Sequence, residues 1–227
     1  MEIIPGILEK EWSEIKRKIE IVKTFSKTAS QSNVAGANTA PAIHIDIIDR
    51  KFAPNTTFLD PKPFTQYSND LFFEVHLMVE EPTQYLKPFA RAGFRRFLGH
   101  IEKMSDQDEF VAKAQEQGEV GLAIDWSTPV SLVKVPYEDL DCILVMTVRA
   151  GESRQEFIPE YLEKVRRIRE KDKFLAIEVD GGINDKTVVQ AKDDGATRFV
   201  ANSFIFNPLQ DVGPQEQFNL LQERIHQ

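Results

Sequence analysis

Two hydrophobic rhythms alternate along this chain: short runs of β-forming side chains, and longer stretches with apolar positions three and four apart. Ile3-Ile4-Pro5-Gly6-Ile7-Leu8 reads as a first short strand, and Glu11 to Phe25 as a helix with Trp12, Ile15, Ile19 and Val22 on one face. Ala42 to Ile47 and Phe72 to Val79 supply the second and third strands. Pro82 to Ala92 reads as a helix opened by proline and closed by Gly93, made irregular by Pro88. Arg96 to Glu102 is the fourth strand, and Ser105 with Asp108 three residues on resembles a capping box before a helix that Gly118 closes. Val120 to Ile124 is the fifth strand, followed by a shorter helix near Val130 to Leu140.

Cys142 to Val148, the sixth strand, is almost continuously apolar, as a strand covered on both faces should be. Pro159 opens a helix with Tyr161, Leu162, Val165 and Ile168 inward, and Phe174 to Val179 is the seventh strand. Asn184 caps a helix ending at Gly195, Arg198 to Ala201 begins the eighth strand, and Gln215 to His226 closes the chain as an amphipathic helix. Strands alternating with helices predict a parallel sheet, and eight of them predict closure. The expectation is one (β/α)8 barrel domain over residues 1–227.

Two connections exceed minimal length. Residues 27–41 are small, polar and aperiodic, and are expected to form a flexible, structurally neutral insertion on the N-terminal face. Asp49 to Ser68 follows the second strand on the opposite face, where a long loop with Phe52, Pro54, Asn55 and Phe58 reads either as a lid or as a static structural loop.

Bulk composition narrows the partners. A net charge of −8 repels a nucleic-acid backbone or an anionic membrane surface, while leaving room for one small anion held by local N–H groups. The single Cys142 lies in an apolar strand and has no internal disulfide partner, which fits a reducing compartment. With no run of membrane-spanning length and no signal-like apolar core, a cytoplasmic location is expected.

The chemistry gathers at strand ends. His44 and Asp46 in Ala42-Ile-His-Ile-Asp-Ile47, His76 in Phe72-Phe-Glu-Val-His-Leu-Met-Val79, and Asp180 in Ala176-Ile-Glu-Val-Asp-Gly-Gly182 each stand at or near a strand's C-terminal end. A parallel barrel places its active site there. Taken singly, a strand histidine is more often a hydrogen-bonded core residue, and an Asp before Gly-Gly is usually a turn former. Four at matching ends read as a two-His, two-Asp site, because unpartnered buried charge is costly. Imidazole and carboxylate together suit one divalent ion per chain, Zn²⁺ by preference, with Fe²⁺, Mn²⁺ or Co²⁺ able to substitute. Two aspartates on opposite walls suit two-base proton transfer beside a polarised ketone. Met78 and Met146, expected on adjacent strand ends, either line this pocket with a soft apolar surface or are simply core residues.

Read together, these segments resemble the ribulose-phosphate 3-epimerase family from Ile3 to about Phe206. The matching pieces are His44-Ile-Asp46-Ile-Ile-Asp49 through Phe52-Ala-Pro54-Asn55, His76-Leu-Met-Val79 with Pro82, and Gly121-Leu-Ala-Ile-Asp125 with Thr128-Pro129. Val145-Met-Thr-Val148 and Val179-Asp-Gly-Gly-Ile183 complete them. The resemblance implies a TIM barrel of the ribulose-phosphate-binding type and metal ligands His44, Asp46, His76 and Asp180. It further implies Asp46 and Asp180 as acid and base at C3 of a ketopentose 5-phosphate, acting through a cis-enediolate lined by Met78 and Met146. That is the chemistry of an isomerase in the pentose phosphate pathway, with a sugar phosphate as partner and a homo-oligomer allowed. By the same likeness Gly151, Ser153, Gly181, Gly182, Asn202 and Ser203 form the phosphate cradle.

This chain departs from the family pattern at Gly6 (serine), Ile48 (methionine), Arg50 (glycine), Gly151-Glu-Ser-Arg-Gln155 (close to Gly-Phe-Gly-Gly-Gln) and Asn202 (glycine). Glu152 is expected to weaken phosphate binding and Arg154 to offset it. Two alternatives follow: epimerisation of a hexulose phosphate or other related ketose, or a catalytically silent metabolite-binding barrel.

Overall fold

A computed structural model describes residues 1–29, 41–150, 155–207 and 212–227. Eight parallel strands close in chain order into a barrel: β1 (Glu2–Ile7), β2 (Ala42–Ile48), β3 (Phe72–Met78), β4 (Phe94–His100), β5 (Glu119–Ile124), β6 (Cys142–Met146), β7 (Ala176–Asp180) and β8 (Arg198–Ala201), with β1 also paired to β8. Helices α1 (Trp12–Ala29), α2 (Leu86–Arg91), α3 (Gln107–Gln115), α4 (Leu162–Lys171), α5 (Thr187–Asp193), α6 (Ser203–Phe206) and α7 (Pro214–His226) lie between and after the strands. The expected (β/α)8 architecture is therefore the observed one. Of the insertion expected at 27–41, residues 30–40 lie outside the described residues, and α1 runs on to Ala29 rather than stopping at Phe25.

Side-chain alternation explains the layering. Along β2, Ile43, Ile45 and Ile47 point to the helices and join the large outer core, while His44 and Asp46 point into the barrel. Parallel register then aligns inward residues across strands: His44 with Glu74, Asp46 with His76, and Met146 with Asp180. One half of the interior is charged. Arg96 is ion-paired to Glu74 and, at 2.7 Å, to Glu119, and Arg198 lies 3.6 Å from Glu2. The other half is an apolar cluster of Leu98, Ala123, Cys142, Leu144, Met146 and Val148.

Several local expectations need correction. No helix forms over Val130–Leu140; Pro129 and Pro136 remove donors and restrict the backbone, leaving two single 3₁₀ turns at Val130–Leu132 and Tyr137–Asp139. The cap of α3 is Asp106, whose Oδ1 accepts the Glu109 N–H at 3.0 Å, whereas Ser105 donates to Glu81. Pro88 sits in the first turn of α2, where its missing N–H would have had no partner, and the residues before it form a 3₁₀ turn at Pro82–Tyr85. Met78 and Met146 are not neighbours, since β3 and β6 stand across the barrel from each other.

The loop after β2 is built into the fold. Asp49 accepts from the N–H groups of Lys51, Phe52 and Glu80, and Thr57 Oγ1 donates to the Asp46 carbonyl at 2.8 Å while accepting the Ile48 N–H. Phe64 and Tyr67, in a 3₁₀ turn at Lys62–Tyr67, are buried against Trp12. Those contacts favour the static reading over the lid. Arg50 takes a φ of +68°, a left-handed conformation at a position where the family pattern has glycine.

Candidate metal centre

Four ligand atoms converge at the C-terminal mouth of the barrel. One atom each from His44, Asp46, His76 and Asp180 lies within 4.8 Å of the others. Asp46 Oδ1 is 3.2 Å from His44 Nε2 and 2.9 Å from His76 Nδ1, and Asp180 Oδ2 is 3.7 Å from His76 Nδ1. Both histidines are fully buried, so water cannot satisfy them.

The outward nitrogens of the two rings are anchored. His44 Nδ1 donates to Glu74 Oε1 at 2.6 Å, and His76 Nε2 meets His100 Nε2 at 2.8 Å. Glu74 is kept ionised: burial opposes its charge, but His44 and Arg96 outweigh burial and hold it down at about 2. An ionised Glu74 only accepts, so a neutral His44 carries its proton on Nδ1 and turns a bare Nε2 toward Asp46. Lone pairs of imidazole and carboxylate thus face one another in a dry space. Such a set is repulsive when empty and fits a divalent cation, whose affinity for mixed nitrogen and oxygen donors it matches. Without a cation, protons must substitute. Burial works against a charged His44, yet Asp46, Glu178 and Glu74 together raise it well above the usual imidazole value.

The two aspartates are driven apart. Burial alone would raise both, but the two histidines bonded to Asp46 hold it well below the ordinary carboxylate range. Asp180, raised by burial and by the nearby Asp46 charge, reaches about 6. Beneath them Glu178, 3.4 Å from His44 Nδ1, is pushed up to about 7 by burial and by Glu74. A raised carboxylate holds its proton more tightly folded than unfolded, so its stabilising contribution is complete below its unfolded value and is lost as pH climbs to the folded one. For Asp180 and Glu178 that window runs from roughly pH 4 to 7, and His44 extends the loss upward. Buried His100, lowered mainly by desolvation, opposes them only below the ordinary imidazole value. Metal-free protein is therefore expected to lose stability, by a few kcal/mol, between about pH 5 and 8. Zinc should reverse that trend, because its ligands bind deprotonated. Thermal melts with chelator and with zinc across this range check both slopes.

A cleft with ≈ 520 Å³ of space opens beside the cluster. Met78 and Met146 line it together with Asp46 and Asp180, so both methionines reach the site despite standing across the barrel. Gly181, Gly182, Asn202 and Ser203 line its far side, as does Gln155. Gly181 and Gly182 have φ of +118° and +65°; a Cβ on Gly182 would come within 2.9 Å of the Phe157 backbone. Thr147 Oγ1 donates to the carbonyls of Asp180 and Gly181 and fixes this turn. Asn202 Oδ1 accepts from the buried Lys18 Nζ at 3.2 Å, and Lys18 is itself paired with Glu9. Gly151 and Ser153, with Glu152 and Arg154, lie outside the described residues.

The sequence reading missed Glu74, Arg96, Glu178, His100 and Glu102, which surround the cluster. The signal was present: Glu74-x-His76 and Glu178-x-Asp180 repeat the two-residue spacing of His44-x-Asp46, which puts both side chains on one face of a strand.

The model of the ribulose-phosphate 3 epimerase family matches residues 20–206. A ribulose-phosphate 3-epimerase of Schizosaccharomyces pombe is 40% identical over 171 residues, covering 73% of this chain and 75% of that one. The Bacillus subtilis ribulose-phosphate 3-epimerase is 33% identical over 218 residues, covering 91% and 92%. Among solved structures, 3-hexulose-6-phosphate synthase from Salmonella typhimurium superposes with a TM-score of 0.70 over 100% of this chain and 99% of that one. At 13% identity that likeness shows the fold alone.

Proposed function

The chain belongs to the ribulose-phosphate 3-epimerase family, and on that footing we propose that it interconverts D-ribulose 5-phosphate and D-xylulose 5-phosphate by inverting C3. As a member it is an isomerase of the epimerase class. The observation that carries the specific reading is the convergence of four ligand atoms within 4.8 Å of one another at the barrel mouth, three from buried side chains and one from the half-buried Asp180.

His44, Asp46, His76 and Asp180 are the residues that would hold one divalent ion, with Zn²⁺ the preferred occupant. Such an ion polarises the ketone and stabilises the negative charge that develops when C3 loses its proton. Asp46 and Asp180 divide the proton traffic. They stand on β2 and β7, on two sides of the cleft, so each can serve one face of the sugar. The two histidines hold Asp46 ionised, while burial and the Asp46 charge raise Asp180, so of the two Asp180 is the one that takes and holds a proton more readily. One removes the C3 proton, the other returns a proton to the opposite face, and the reverse reaction exchanges their roles.

Met78 and Met146 give the intermediate an apolar wall that keeps water from it. Phosphate falls to the Gly181-Gly182 turn with Asn202 and Ser203. Because Lys18 holds the Asn202 carbonyl oxygen, the amide N–H groups are left to donate into the cleft.

Purified protein loaded with zinc is expected to convert ribulose 5-phosphate into xylulose 5-phosphate, with conversion lost to a chelator and restored by added metal. Carbon NMR of the product mixture reads this. A ribulose 5-phosphate spectrum that stays unchanged with zinc present would exclude the substrate.

A further inference from the structure

We propose that His100 and Glu102 are positioning residues that fix the tautomer of His76, so that its Nδ1 offers a lone pair to the metal. This inference rests on the reading of His76 as a ligand and extends it outward by two residues. The bonds form a chain from the cluster to the barrel rim. His76 Nε2 lies 2.8 Å from His100 Nε2, and His100 Nδ1 lies 2.8 Å from Glu102 Oε2. Glu102 Oε1 accepts the backbone N–H of Asp125, the residue after β5, at 2.7 Å.

Donor direction follows link by link. A backbone N–H can only donate, and an ionised Glu102 can only accept at both oxygens, so the proton in the Glu102–His100 link belongs to His100 Nδ1. A neutral His100 then has a bare Nε2, which must accept. The contact at 2.8 Å therefore requires a proton on His76 Nε2. In a neutral His76, the form that binds a metal, that leaves Nδ1, the nitrogen facing Asp46 at 2.9 Å, unprotonated. His76 and His100 are fully buried, so water cannot supply an alternative partner at either nitrogen. The two rings meet end to end, with centroids 4.9 Å apart and planes 25° from parallel, and Phe52, from the loop after β2, packs on His100 at 4.6 Å. His44 reaches the same end through Glu74, with Glu178 3.4 Å from the same Nδ1, so the two ligand histidines are set by separate partners.

Glu102→Gln tests the chain with almost no change of shape. The amide oxygen still accepts from Asp125, while the NH₂ donates to His100 Nδ1. The His100 proton moves to Nε2 and forces that of His76 onto Nδ1, where it blocks the metal. Zinc affinity, read by competition with a chromophoric chelator, is expected to fall by roughly 10–100-fold, the range for partners behind a metal ligand. Nitrogen-15 spectra of the zinc-loaded protein should show the His76 proton on Nε2 in the wild type and displaced from it in E102Q. His100→Gln, whose amide oxygen can accept from His76 Nε2–H without help from Glu102, should retain affinity to within a few-fold. Adding Glu102→Gln to His100→Gln should then cost little more. An E102Q protein with wild-type affinity and an unmoved His76 proton overturns the proposal, as does a loss of thermal stability with both readouts unchanged. If the wild-type protein fails to bind zinc, the reading of the four ligands fails first and takes this one with it.

Discussion

Asp46→Asn and Asp180→Asn are each expected to reduce epimerisation by about 10²–10⁴-fold, the range for losing a positioned general acid or base. The two variants should not behave alike. Each keeps one working carboxylate, so each should still exchange the C3 proton with solvent from one epimer and not from the other. Neither substitution changes side-chain volume, and Asp180 is partly open to the cleft, so the fold should survive. Turnover and C3 exchange measured from both epimers check this. Wild-type turnover in either variant would rule out a base on each face.

His76→Ala and His44→Ala are expected to lower metal content from about one ion per chain to near none, with the barrel still folded. His76→Ala is the cleaner experiment. Removing His44 also takes a partner from Glu74 and Glu178, two buried carboxylates, leaving Arg96 as the compensating charge beside Glu74. Some loss of stability is therefore expected in His44→Ala beyond the loss of metal. Metal analysis with far-UV circular dichroism separates these effects. Undiminished metal in both variants would remove the two histidines from the ligand set.

Much of the fold was legible because the strands of a parallel barrel are buried on both faces and so read as apolar runs bounded by Gly, Pro and polar turns. Cys142 to Met146 and Ala42 to Ile48 stood out for that reason. Helix assignments failed where prolines cut the chain into single turns, at Pro129 and Pro136, because apolar spacing carries no information about missing donors. Of the site, the residues at strand ends were legible and those one layer deeper were not. Glu74, Arg96 and Glu178 look like solvent-facing residues of half-buried strands. In the charged half of the barrel the apolar side chains face the helices, and the polar ones meet inside, where ion pairs make their burial tolerable. His100-x-Glu102 carried the same spacing as His44-x-Asp46, although β4 ends at His100 and Glu102 lies in the 3₁₀ turn that follows. Its role became visible only when the barrel brought His100 to His76.

Inversion at C3 through proton exchange with solvent is best followed by NMR of ribulose 5-phosphate in deuterium oxide with zinc-loaded protein. Deuterium should appear at C3, and at no other carbon, as xylulose 5-phosphate forms, and both should vanish in the chelated protein and in the Asp46→Asn, Asp180→Asn double variant. Epimer formed with the C3 hydrogen fully retained, or deuterium incorporated in that double variant at the wild-type rate, would contradict a two-carboxylate epimerase.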